Sequence, residues 1–141
     1  MTAPGGGPTT PGQMVELVVV EDLKRTQIVQ YAGASGDFNP LHTDEPYAVT
    51  VVGYPSVFAH GMLTMGMVGR VLTEGWGHGA VRRFGGRFVA QVWPGDSLTA
   101  RATVQSAEDR GDETRIRLAV EGVNQDGRVV FDGEAEVAVP R

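Results

Sequence analysis

Along the second half of the chain, hydrophobic and polar residues alternate with a period of two. Leu98, Ala100, Ala102 and Val104 oppose Thr99, Arg101, Thr103 and Gln105. Ile116, Leu118 and Val120 oppose Arg115 and Arg117. Val129, Phe131, Ala135, Val137 and Val139 oppose Asp132, Glu134 and Glu136. Phe88, Ala90 and Val92 also fall on one side. The alternation predicts antiparallel strands, each with one buried face. Pro94-Gly95-Asp96, Asp109-Arg110-Gly111-Asp112 and Asn124-Gln125-Asp126-Gly127 interrupt it with turn residues of the kind that join neighbouring strands.

Upstream, MVELVVV at 14–20 predicts a valine-rich first strand. Glu21 to Ala34 has helical character, with Leu23, Ile28, Tyr31 and Ala32 near one face. Residues 35–55 are punctuated by Gly36, Pro40, Pro46, Gly53 and Pro55, leaving room for one or two helical turns between Asp44 and Val52. His60 to Leu72 (HGMLTMGMVGRVL) predicts a helix that is apolar on nearly every side and therefore buried. Its glycines, Gly61, Gly66 and Gly69, each cost about 1 kcal/mol relative to alanine inside a helix. Accepting that cost suggests that another backbone lies against the helix. A glycine-rich turn over 75–79 follows. The order is strand, helix, irregular segment, buried helix, then four strands. This predicts an α+β fold: a curved antiparallel sheet of about five strands wrapped around a central apolar helix.

Composition narrows the picture. The 141 residues suit one domain, read as 13–141 after a flexible Pro/Gly tail over 1–12. Absence of cysteine excludes a disulfide scaffold, a thiolate zinc site, an iron–sulfur cluster and a thiol nucleophile. A net charge of -5 argues against a nucleic-acid partner. Pro46 to Gly69 lacks Asp, Glu, Lys and Arg, but Gly53, Pro55, Gly61 and several polar residues break it up. It reads as a segment buried in protein, with no membrane partner, and the default location is the cytoplasm.

The stretch richest in chemistry is YAGASGDFNPLH, from Tyr31 to His42. It sets a carboxylate (Asp37), an amide (Asn39) and an imidazole (His42) within six residues, stiffened by Pro40. An acid and an imidazole held together can share one water and divide proton transfer between them. D-x-N-P is also good Asx-turn chemistry, with His42 then an ordinary surface histidine. A metal site of Asp37, Asn39, His42 and Asp44 is a further alternative. An EF-hand is excluded, since His42 and Ala48 occupy the positions that require Gly and Glu.

YAGASGDFNPLH followed by FAHGMLTMG resembles the signature of the MaoC-like (R)-specific enoyl-CoA hydratases and dehydratases. It is especially similar to actinobacterial (3R)-hydroxyacyl dehydratase subunits. The likeness runs from about Val15 to the C-terminus. It implies a single hot-dog domain and a carbon–oxygen lyase of fatty-acid metabolism, with Asp37 and His42 as the catalytic dyad. Asn39 would hold the loop. Gly61, at the start of the central helix, would offer its backbone N–H to the thioester carbonyl. No cofactor or metal is implied, only a thioester of coenzyme A or of acyl carrier protein as substrate. Some members carry a serine nine positions after the histidine of A-H-G; here that position is Gly69.

Other candidates are weaker. Tyr54, Phe58, His60 and Met65 are candidate pocket residues, with core packing as the alternative; His60 reads chiefly as a satisfied structural histidine. Arg82, Arg83 and Arg87 are candidates for phosphate contacts, against a solvated strand face. Gly75-Trp76-Gly77-His78-Gly79-Ala80 imitates a dinucleotide fingerprint with its elements in reverse order, so it is rejected. Two competing functions remain. A hot-dog thioesterase would need an acid on or near the central helix, where only Glu74 stands at the end. A subunit of a heterodimer is the other. Edge strands are a liability that pairing removes, so a homodimer or heterodimer is expected.

Overall fold

The computed structural model describes residues 6–141. Strand β1 (Met14–Val20) leads through a turn at Asp22 into helix α1 (Arg25–Ser35). A short helix α2 (Pro40–Thr43) and a wide helical turn (Tyr47–Val52) follow, then the long helix α3 (Gly61–Trp76). The remaining strands are β2 (Val81–Phe88), β3 (Leu98–Asp109), β4 (Glu113–Val123) and β5 (Val129–Pro140). They form one antiparallel sheet in the order β1-β3-β4-β5-β2.

The predicted alternation survives in β3, β4 and the middle of β5; at the ends of β5, Val130 and Ala138 are buried while Val129 and Val139 are only partly so. Leu98, Ala100, Ala102, Val104, Ile116, Leu118, Val120 and Val137 are buried, and α3 lies across this face. Val68, Val71, Leu72 and Trp76 supply the helix side of the core. α3 is longer than predicted, because the expected turn at 75–79 begins only at Gly77, which takes a positive φ of 98°. Nor is α3 buried all round. Met62 is 56% exposed, and Gly66 and Arg70 share its open side.

Two turn assignments hold and one does not. The segments 110–112 and 124–128 join neighbouring strands. Pro94-Gly95-Asp96 does not, since β2 pairs with β5 at the far edge and the chain must cross the sheet to reach β3. The strand expected around Phe88–Val92 lies earlier, at Val81–Phe88. Its paired glycines, Gly85 and Gly86, hide the period-two signal. The glycine expectation also changes. No backbone covers α3 at Gly61 or Gly69; instead a Cβ there would lie 2.8 Å from Phe88 and 3.0 Å from Phe84. The β2 aromatics lie against these two glycines.

Residues 1–5 of the expected tail lie outside the described residues. In its remainder, the Pro8 carbonyl accepts a hydrogen bond from the Trp76 indole at 3.1 Å. No helix among the described residues is long and apolar enough to cross a membrane.

Two glycines give opposite expectations. A Cβ at Gly133 would meet the Gly85 carbonyl at 2.3 Å, so Gly133→Ala forces β2 and β5 apart. It should cost about 1–3 kcal/mol. Gly66 has nothing within 4 Å, so Gly66→Ala should stabilise by about 0.5–1 kcal/mol. Urea unfolding of the two variants checks both signs.

Candidate active site

α1 ends at Gly36, whose φ of 76° is accessible at little cost only to glycine. This turns the chain sharply into the Asp37–Asn39 loop. Asp37 Oδ1 accepts from the Asn39 amide at 3.2 Å, and Asn39 Oδ1 accepts from the Leu41 amide at 3.0 Å. The Asx-turn alternative is therefore present, and it serves the site instead of replacing it. Asn39 is the N-cap of α2, and Pro40 at the first helical position fixes the φ that the helix needs. α2 is only four residues long, yet it points His42 inward toward the segment that precedes α3.

His42 Nδ1 lies 2.7 Å from the Phe58 carbonyl. A carbonyl only accepts, so the proton sits on Nδ1 and the neutral ring keeps its free lone pair on Nε2. By the same reasoning, His60 Nε2–H donates to the Asp37 backbone carbonyl at 2.9 Å. The two imidazoles are stacked, with centroids 3.9 Å apart, and Tyr31 closes on His60 edge-on at 4.8 Å. One ligating atom from each of Asp37, His42 and His60 lies within 4.8 Å of the other two. The expected dyad residues are thus brought together, along with a third group.

His60 departs from expectation. It is 2% exposed, but its Nδ1 has no hydrogen-bond partner among the described residues. It is a half-satisfied histidine, not a fully satisfied one, at a typical cost of about 1–3 kcal/mol.

Gly61 opens α3 immediately after His60. The first amides of a helix have no intrahelical acceptor and carry partial positive charge. Gly61 lines a groove of about 320 Å³ with Phe58, Thr64, Phe88, Gln91 and Val92. Phe58 joins the groove to the Asp37–His42 pair, since its carbonyl holds His42 and its ring meets the imidazole edge-on at 5.1 Å. Tyr54 packs on Phe58 at 5.2 Å, and Trp93 closes the aromatic cluster. Thr64, Phe88 and Gln91 were not anticipated. The first is a neutral helix residue, Phe88 reaches the groove at the end of β2, and Gln91 lies in the segment that follows it.

Other expectations are displaced. Met65 packs against the core and is absent from the groove lining. Arg82 donates to the Gly79 carbonyl and faces Glu113, Arg83 faces Glu134 at 3.5 Å, and Arg87 stands opposite Asp132 in the β2–β5 register. These guanidiniums belong to a strand face already supplied with carboxylates, and none lines the groove. Phe84 covers Gly69, and a Cβ there would lie 3.0 Å from its ring. Glu74 is exposed and ion-paired with Arg70 at 2.7 Å.

The electrostatics favour a neutral His42. Partial burial lowers its pKa below the usual 6.5, and the nearby His60 adds to this. The Phe58 hydrogen bond and the Asp37 carboxylate oppose the shift without cancelling it.

Against this geometry, comparison with known proteins is direct. Residues 7–133 match the MaoC like domain, and the chain belongs to that family. It is 36% identical over 131 residues to an (R)-specific enoyl-CoA hydratase of Rhodospirillum rubrum, covering 92% of this chain and 87% of that one. Two other curated relatives are longer, and the chain spans 23% and 43% of them. Among solved structures, the R-hydratase PhaJ1 of Pseudomonas aeruginosa superimposes with a TM-score of 0.80 at 30% identity, over 94% of this chain and 83% of that chain. The (R)-hydratase of A. caviae gives 0.81 at 26% identity, over 93% and 97%. The fold is the hot-dog fold expected from the sequence.

The lowered His42 pKa has a signed consequence for stability. As pH falls below 6.5, the unfolded chain takes a proton on this ring that the native state resists. Stability from this group is therefore full above pH 6.5 and is lost as pH falls toward the native pKa. The urea midpoint should drop between pH 7.5 and 5.5 by more in the wild type than in His42→Gln. Equal drops would contradict the assignment.

Proposed function

We propose that this chain catalyses the (R)-specific hydration of trans-2-enoyl thioesters and the reverse dehydration of (3R)-hydroxyacyl thioesters. The observation that carries this reading is the meeting of Asp37, His42 and His60 within 4.8 Å, beside a groove that begins at the first amide of α3. The (R)-hydratase relatives of similar length support it, and they make a coenzyme A ester the substrate to test first.

The thioester carbonyl accepts from the Gly61 N–H, and the acyl chain follows the groove past Thr64 and Phe88. A water stands between the Asp37 carboxylate and His42 Nε2. His42 removes one proton as the water oxygen bonds to C3. The π electrons move toward C2, and negative charge develops on the thioester oxygen. A donor fixed there contributes about two to three powers of ten in rate. The imidazolium then returns its proton to C2, which restores the neutral ring. One water is consumed, hydroxyl to C3 and hydrogen to C2. Dehydration runs the same steps backward. Asp37 orients the water and stabilises the transient imidazolium.

Asp37→Asn and His42→Ala should each lower kcat/KM on crotonyl-CoA by about 10²- to 10⁴-fold, read as loss of the conjugated enoyl absorbance. Circular dichroism should stay unchanged. Turnover like the wild type in both variants would remove the mechanism.

The reading includes a second hot-dog subunit, either another copy or a related chain. β2 has an open edge at the rim of the sheet, and Met62, Phe88 and Val89 are about half exposed beside the groove. Light scattering should give twice the chain mass of 15.0 kDa for the protein alone, or a stable complex with a related subunit. A lone monomer at micromolar concentration with full activity would overturn it.

A further inference from the structure

His60 touches both members of the proposed dyad at once. Its Nε2–H holds the Asp37 backbone carbonyl at 2.9 Å, and its ring lies on that of His42 at 3.9 Å between centroids. The other hydrogen bonds of Asp37, from its N–H to Ser35 Oγ and from the Asn39 N–H to its Oδ1, stay within two residues of it. His60 therefore ties that loop to α3. His42 is bounded by the Phe58 carbonyl on one side and the His60 ring on another.

We infer that His60 is a positioning residue for the dyad, acting through the Asp37 peptide and the His42 ring rather than on the substrate. The inference rests on the hydratase reading above and deepens it. A histidine kept only for packing would have both nitrogens paired or be replaced by an apolar residue of similar volume. Here a buried Nδ1 has no partner among the described residues, in a side chain that is 2% exposed. Such a group is tolerated where its other contacts serve function, and removing it is expected to stabilise or leave stability unchanged. The stack also has a chemical effect. Partial burial lowers the His42 pKa and the adjacent His60 adds to that, which helps His42 remain a free base.

The test compares the full chain with His60→Leu and His60→Gln on crotonyl-CoA, with urea unfolding of all three. Leucine fills the volume but lacks the donor. Glutamine keeps an amide N–H able to reach the Asp37 carbonyl. His60→Leu should lower kcat by about 10- to 100-fold, as expected for a misplaced reacting group, with KM changed less than about threefold and an unfolding midpoint no lower than wild type. His60→Gln should recover most of kcat. Wild-type kcat in His60→Leu would overturn the inference, as would equal loss in both variants or a loss matched by a fall in the midpoint. An inactive wild type would instead overturn the hydratase reading, and this inference with it. An active wild type with an unaffected leucine variant would overturn this inference alone.

Discussion

Val68, Val71, Leu72 and Trp76 press α3 against β1, β3 and β5, and that packing decides where the helix begins. The first turn of α3 is the point on which the chemistry depends. His60 precedes it and grips the Asp37 loop, Gly61 opens it with a free amide, and Thr64 faces the groove one turn on. A helix of 16 residues docked by a dry apolar face behaves as a rigid body. Its leading amide is therefore held in place by contacts far from the site. The Asp37–Asn39 loop has little apolar anchorage of its own, and Phe38 in its middle is 66% exposed. Its order comes from the Gly36 turn, two Asx bonds and the His60 hydrogen bond.

The site is built around keeping an imidazole neutral with a known tautomer. Phe58 fixes the proton on Nδ1, partial burial penalises the cation, and a second imidazole lies against the first. Each device costs stability or leaves a polar atom unpaired, as at His60 Nδ1. The rest of the domain supplies the offset. Its sheet buries small and branched residues such as Ala100, Ala102, Val104 and Val120, and its outer face carries ion pairs such as Arg115 with Glu113 on its own strand and with Glu136 on β5. Surface pairs of this kind contribute little each.

Much of the fold was legible from the chain alone. Period-two alternation identified β3, β4 and β5, because each has one wet and one dry face. MVELVVV matched β1 in full. The family resemblance carried by YAGASGDFNPLH and FAHGMLTMG pointed to Asp37, Asn39, His42 and Gly61, and local rules place them. Gly36 must turn, Asn39 must cap, Pro40 must start a helix, and a helix must leave its first amides free. β2 was misplaced because Gly85 and Gly86 erase its alternation, and the end of α3 was misread because Gly75 is also a helix residue here.

Local chemistry could name the acid and the imidazole, but their approach to each other depended on α3 docking 18 residues downstream of His42. The same docking converted His60 from an apparent packing residue into a partner of both groups. It also set Phe84 and Phe88 over Gly69 and Gly61, and left Arg82 and Arg83 facing carboxylates on β4 and β5. Turns and caps are decided within a few residues, so one sequence suffices to read them. Which rings stack, which nitrogens go unpaired and which glycines are covered depend on contacts between distant elements, and only the packed sheet and helix determine those.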